Sequence, residues 1–206
     1  MNRTARAVSV LALVTTASLL TACGGDSAEE AAPATDSAGQ ATQATSSTAG
    51  AGGEAPQVTN PLDATSLIED PCRALSPSQL DQLGLNEGEP QPNEAMTSGA
   101  CSWQRSEESL DSVDLSFIVE NADGLGALYA DKQSNEYFEP TEIAGYPAVY
   151  ASLVDNRDSG FCDLWVGVNE RDVMHFMVIL ASEKTAEASC GLAADVAEAT
   201  ISTLGG

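Results

Sequence analysis

A protein core is built from bulky side chains, and in this chain of 206 residues every aromatic one lies between Trp103 and Phe176. The N-terminal part therefore cannot be organised like the rest. Of the 37 residues from Gly24 to Asn60, 30 are Ala, Ser, Thr, Gly, Pro or Gln, five are acidic, and Val58 is the only large apolar one. Such a segment buries too little surface to offset its ordering entropy, and it reads as a disordered linker. As a flexible coil it spans on the order of 35 Å.

Ahead of the linker, Arg3 and Arg6 precede an apolar run of 14 residues, Ala7 to Leu20. A hydrocarbon core takes roughly 20 residues to cross, so the run reads as the core of a signal peptide and not as a membrane span. Leu20-Thr21-Ala22-Cys23, followed by Gly24-Gly25, resembles the lipobox of bacterial lipoproteins. That resemblance implies cleavage before Cys23, a thioether-linked diacylglycerol on its sulfur, and often acylation of the new amine. Two or three acyl chains anchor stably where one is marginal, at ~0.8 kcal/mol per buried methylene. The expected organisation is a signal peptide over residues 1–22, a lipidated Cys23 and linker over 23–60, and one folded domain over 61–206. The expected location is the extracytoplasmic face of the cell membrane, tethered by lipid.

Charge narrows the partners. With 31 acids against 8 bases the formal net charge is -23, which argues against nucleic acid, because phosphate recognition needs clustered Lys and Arg. Solubility accounts for the acids by itself; in addition, anionic headgroups would repel the acidic domain, so the linker holds a repelled body off the surface.

Once Cys23 is assigned to lipid, four cysteines remain, Cys72, Cys101, Cys162 and Cys190, an even set that suits an oxidising compartment. Three pairings are possible. Cys72 with Cys101 and Cys162 with Cys190 is favoured, because the strand and helix phases below put each pair on buried faces. Loops of that size are worth about 3 to 4 kcal/mol each in the chain-entropy model. Zinc is disfavoured, since no two of these cysteines sit two to four residues apart and the chain has one histidine.

Ser76-Pro77-Ser78-Gln79 reads as a helix start with a capping box, and Gly84 as its left-handed stop. Strands are expected at Ala100 to Gln104, at Val113 to Val119, at Tyr146 to Val154, at Phe161 to Asn169 and at Val173 to Leu180. Asp123 to Gln133 reads as a helix with Leu125, Leu128 and Tyr129 on one side. Lys184 to Leu204 is a second, with Cys190, Ala193, Ala194, Ala197, Ile201 and Leu204 on one stripe. In the strand from Phe161, Cys162 shares its face with Leu164, Val166 and Val168. The implied architecture is α+β, an antiparallel sheet of about five strands with N-terminal short helices, one mid-chain helix and a C-terminal helix packed on it.

Asp70-Pro71-Cys72-Arg73-Ala74-Leu75, Leu80 through Gly84-Leu85, and Cys101-Ser102-Trp103 occur in an order that resembles a known family. So do Gly145-Tyr146-Pro147-Ala148-Val149, Cys162-Asp163-Leu164-Trp165-Val166 and the closing helix with Cys190 and Ala197. The family is the actinobacterial lipoproteins catalogued as domain of unknown function 3558. The resemblance implies a cell-envelope lipoprotein with a cysteine framework like the one above, and it carries no activity or catalytic residue across.

Catalysis finds little support. His175 lies in a strand that is apolar on both faces, and no G-x-S-x-G, H-E-x-x-H or P-loop pattern occurs. In Asp155-Asn156-Arg157-Asp158-Ser159-Gly160, Arg157 stands where a calcium loop needs its third ligand, and the run reads as a hairpin loop. No cofactor or metal is expected. Opposite Cys162 lie Trp165 and Gly167, and neighbouring strands are expected to add Tyr146, Tyr150, Met174, Phe176 and Val178. If its cover is incomplete, such a face leaves an aromatic groove for an apolar or sugar-containing envelope molecule. The function expected first is a non-enzymatic small-ligand or lipid binding module. A protein-interaction accessory of an envelope enzyme or transporter is second, and a hydrolase using His175 third.

Overall fold

The computed structural model describes residues 54–91 and 98–205; the signal, Cys23 and most of the linker lie outside them. Three short N-terminal pieces come first. These are α1 (Thr65–Glu69), a 3-10 turn (Pro71–Ala74) and α2 (Pro77–Leu83). Helix α2 starts as its sequence dictates. The Ser76 hydroxyl accepts from the Gln79 backbone, the Gln79 side chain accepts from the Ser76 N–H, and Gly84 closes the helix at φ 66°.

A seven-stranded, wholly antiparallel sheet follows in the order β1-β2-β3-β7-β6-β5-β4. Its strands are β1 (Glu89–Gln91), β2 (Ala100–Gln104), β3 (Ser112–Ile118), β4 (Tyr137–Ile143), β5 (Tyr146–Ser152), β6 (Phe161–Gly167) and β7 (Val173–Ile179). Helix α3 (Leu125–Ala130) links β3 to β4, and α4 (Ala186–Leu204) closes the chain. The fold is therefore α+β as expected, with seven strands instead of about five. The two additional strands are the edges. β1 has three exposed residues, and β4 buries only its two ends, Tyr137 and Ile143. Neither shows the alternation that marks a half-buried strand.

One sheet face carries the main core. Cys101, Trp103, Val113, Leu115, Phe117, Leu164, Val166, Met174, Phe176 and Val178 are buried there beneath the N-terminal helices and α4. Helix α4 is capped by the Thr185 hydroxyl and ended by Gly205 at φ 92°. Its buried stripe contains Ala193, Ala197 and Ile201 as expected, and it is rotated to take in Leu192, Val196 and Thr200. Two disulfides pin the layers together. Cys72 joins Cys101 and Cys162 joins Cys190, with Cα–Cα distances of 5.0 and 5.2 Å. This is the pairing that the strand and helix phases favour, and each bond fastens one covering element to one strand.

Strand order explains the second face. β3 is an interior strand next to β7, while its successor β4 is the far edge, so the connection must cross the sheet. Helix α3 is that crossing, and Leu125 and Tyr129 pack on Val149, Ala151 and Val173. A Cβ at Gly167 would meet Leu125 Cβ at 3.4 Å and Val58 Cγ2 at 3.6 Å. The close neighbours of Gly167 are thus α3 and the end of the segment read as linker. Val58 packs against the core, so this part of residues 23–60 lies on the domain. The Leu62 N–H donates to the Val168 carbonyl at the same end of β6.

Candidate functional site

The expected aromatic groove does not form. In the register of the sheet, Leu164 pairs with both Tyr150 and Phe176, and Trp165 pairs with Val149 and His175. Tyr146, Tyr150, Met174, Phe176 and Val178 therefore share the helix-covered face with Cys162, and Trp165 alone looks the other way. Residues directly opposite each other in adjacent strands share a face, and a shift of one residue exchanges faces. Phe176 is wholly buried, and the Tyr150 hydroxyl donates to the Cys190 carbonyl at 3.3 Å. Burial raises the pKa of Tyr150, with the carboxylates of Asp195 and Glu139 adding to the effect.

What the second face offers instead is an open, polar-aromatic half. Helix α3 crosses over one half of it and Trp165 packs against its cluster, while Asp114, Ser116, Asp163, Trp165, His175 and Met177 remain partly accessible. At its centre the Trp165 and His175 rings stack with centroids 3.9 Å apart and planes 17° from parallel. His175 Nε2 lies 2.8 Å from Asp163 Oδ1, and Trp165 Nε1 donates to the Ala151 carbonyl at 2.9 Å. Strand pairing produces this cluster, since Trp165 and His175 are register partners and Asp163 precedes Trp165 by two residues on the same face. All three side chains are held by neighbours, which makes a rigid platform.

The chemistry of that platform is limited. Asp163 engages the histidine through Nε2, and the hydroxyl nearest in register is Ser116, directly opposite His175 on β3. Among the described residues no hydrogen bond joins Ser116 to the ring. A nucleophile–base pair needs that contact. No group of three or more His, Cys, Asp or Glu side chains among the described residues is placed to hold a metal ion.

The loop from Asp155 to Gly160 is held by its arginine. Arg157 donates to both Asp155 oxygens at 2.8 and 2.9 Å and to Glu139 at 2.8 Å, and its guanidinium lies 4.0 Å from the Tyr137 ring centroid. The hydrogen bond to Asp155, opposed by partial burial and helped by Glu139, raises the Arg157 pKa. The Tyr137 hydroxyl accepts the Asp163 backbone N–H at 3.2 Å, so this loop and the platform share a support. Burial raises the pKa of Tyr137 above the ordinary tyrosine range.

Next to the platform, one end of the sheet is apolar and exposed. Leu110 is 77% exposed, Leu153 68%, Val154 54% and Phe161 38%. Leu110 lies just before β3, Leu153 and Val154 just after β5, and Phe161 opens β6 opposite Ile179. Sequence reading missed this set, because no motif marks it and its unity comes from strand order. A recess of about 910 Å3 lies at the opposite end, between residues 54–58, α3 and Asn169 to Arg171. It is open to solvent and rimmed by Glu54, Asp123, Glu170 and Arg171. Among the described residues no helix is long and apolar enough to cross a membrane.

A family model described as "Protein of unknown function (DUF3558)" matches residues 18–203. No curated protein and no solved structure matches the chain.

Proposed function

The chain belongs to this family of proteins of unknown function, and we propose that its mature form is a lipid-anchored, extracytoplasmic interaction module. The family match begins at Ser18, ahead of Cys23, and so takes in the lipobox-like Leu19-Leu20-Thr21-Ala22-Cys23. Two disulfides suit an oxidising compartment. In this reading Cys23 carries the lipid, the linker supplies reach, and the domain binds another protein of the envelope without chemistry of its own.

The observation that carries the reading is the half-open sheet face around Trp165, His175 and Asp163. A carrier of small apolar ligands needs a concave site that encloses its cargo. Here the accessible half of the face is the surface of a sheet, with stacked rings fixed by hydrogen bonds. Rigid aromatic anchors in a polar surround are what protein interfaces use.

Two measurements test the proposal. Replacing Cys23 by Ala should release the protein from the membrane fraction; retention there would overturn the anchor. A photoreactive amino acid at Met177, on the open face, should give a protein adduct of discrete mass in living cells, whereas one at Glu187, near the start of α4, should not. The same adduct from both positions, or none from Met177, would overturn the use of this face.

A further inference from the structure

The geometry points to a basic protein partner with an apolar centre, docking face-on over the Phe161–Ile179–Met177–Trp165 stripe instead of adding a strand to the sheet edge. This inference rests on the interaction-module reading and specifies what the open face binds. Phe161, Asp163 and Trp165 of β6 project to one side together with His175, Met177 and Ile179 of β7. Leu153 and Leu110 extend the stripe at the end of the sheet that α3 leaves uncovered. Exposed apolar side chains gathered at one end of a sheet mark an interaction surface more readily than scattered ones do.

Charge selects the partner. The face itself carries Asp114 and Asp163, the β2–β3 turn Glu107 and Glu108, and the β5–β6 loop Asp155 and Asp158. Bases near that end include Arg105, Arg157 and Lys184, and Arg157 and Asp155 offset each other, so the acidic excess rests on the remaining carboxylates. An apolar centre inside an acidic rim complements a surface with apolar side chains inside a basic one.

Other occupants fit less well. Residues 24–53 contain no large apolar side chain, so the linker has nothing to lay on the stripe. A second copy would set one acidic rim against another. Strand addition meets a proline in the middle of each edge strand, Pro90 in β1 and Pro140 in β4. Proline lacks the N–H that a growing ladder needs. An anionic membrane is repelled by the same acids, and the chain enters the domain beside Val168, at the opposite end of β6.

The test uses the emission of Trp165. Trp103, the other tryptophan, is wholly buried and serves as an internal constant. The processed full-length protein in phosphatidylcholine nanodiscs is titrated with short peptides alternating Arg with Leu, Glu with Leu, or Arg with Ser. The Arg–Leu peptide should shift the emission to the blue and saturate. The Glu–Leu and Arg–Ser peptides should bind at least about tenfold more weakly, and Met177→Lys should weaken the Arg–Leu peptide by a similar factor. Trp165→Phe should remove the signal. The inference is overturned if the Arg–Ser peptide matches the Arg–Leu one, if the Glu–Leu peptide binds as well, or if no peptide shifts the emission. Two further results would also overturn it: the same shift from phosphatidylglycerol vesicles, which makes lipid the occupant, or a shift with protein concentration alone, which makes it a second copy. A protein adduct at Met177 together with any of these results would leave the module reading standing and remove only the partner's chemistry.

Discussion

Two buried side-chain polar atoms among the described residues have no hydrogen-bond partner, Trp103 Nε1 and the Tyr129 hydroxyl. Tyr129 packs edge-on against Phe138 with ring centroids 4.9 Å apart, and burial raises the pKa of its hydroxyl. A buried hydroxyl without a partner carries its desolvation cost uncompensated. Tyr129→Phe should therefore leave stability unchanged or raise it by up to about 1 kcal/mol in urea unfolding. Trp103 is confined from the other side. A Cβ at Gly88 would fall 2.5 Å from both Cys101 Sγ and Trp103 Nε1. Neither a disulfide sulfur nor a wholly buried ring can swing away, so Gly88→Ala should cost about 1 to 3 kcal/mol, read as a lower midpoint with an unchanged slope. The sequence shows Gly88 and Trp103 but no sign that they meet, since contact across 15 residues depends on how the turn folds back.

At the scale of elements, Asp111 ties the entrance of β3 to the segment between β7 and α4. Its carboxylate accepts from the Ser182 backbone at 3.0 Å and from the Ser182 hydroxyl. Burial alone would raise its pKa, but the hydrogen bonds from Ser182 and Ala181, with Arg105 nearby, hold it below the ordinary value of 3.8. A carboxyl group whose pKa falls on folding adds stability that is fully present above its unfolded value of about 3.9 and is lost as pH falls through the lower folded value. Stability should thus decline on acidification below about pH 4, and Asp111→Asn should lower stability at neutral pH while flattening that decline. Chemical denaturation at several pH values reads both effects. The elements themselves were unequally legible. β3 announces itself, because Val113, Leu115 and Phe117 alternate with half-exposed residues. β4 does not, because Pro140 interrupts it and only its ends are buried. The groove expected from Tyr146, Tyr150, Trp165 and Phe176 failed at this scale too. Alternation within one strand is written in the sequence, whereas the register that aligns one strand with its neighbour is set by turns and long-range packing.

For the whole molecule, the two disulfides are the covalent links that hold the cover onto the sheet. They close loops of 29 and 28 residues. Replacing either pair by alanine should lower unfolding stability by about 3 kcal/mol, and replacing both should cost roughly the sum, because the bonds lie on different parts of the cover. Thermal melts of the three variants beside the unaltered protein check the additivity. The expected start of the domain is residue 61, and the described structure already packs residues ahead of that point against it. Val58 and Leu62 already pack against it, and single apolar residues in a polar stretch give no periodicity to read.

The order of those bonds along the chain has a consequence of its own. Cys72 pairs with Cys101, the next cysteine after it, and Cys162 with Cys190, the next after that, so the two loops follow one another without overlapping. In a chain that emerges N-terminus first into an oxidising compartment, the first native bond can close before the second pair has appeared. With Cys23 taken by lipid as proposed, an oxidant that links neighbouring thiols among the other four as they arrive yields the correct connectivity, and no shuffling of mispaired intermediates is required.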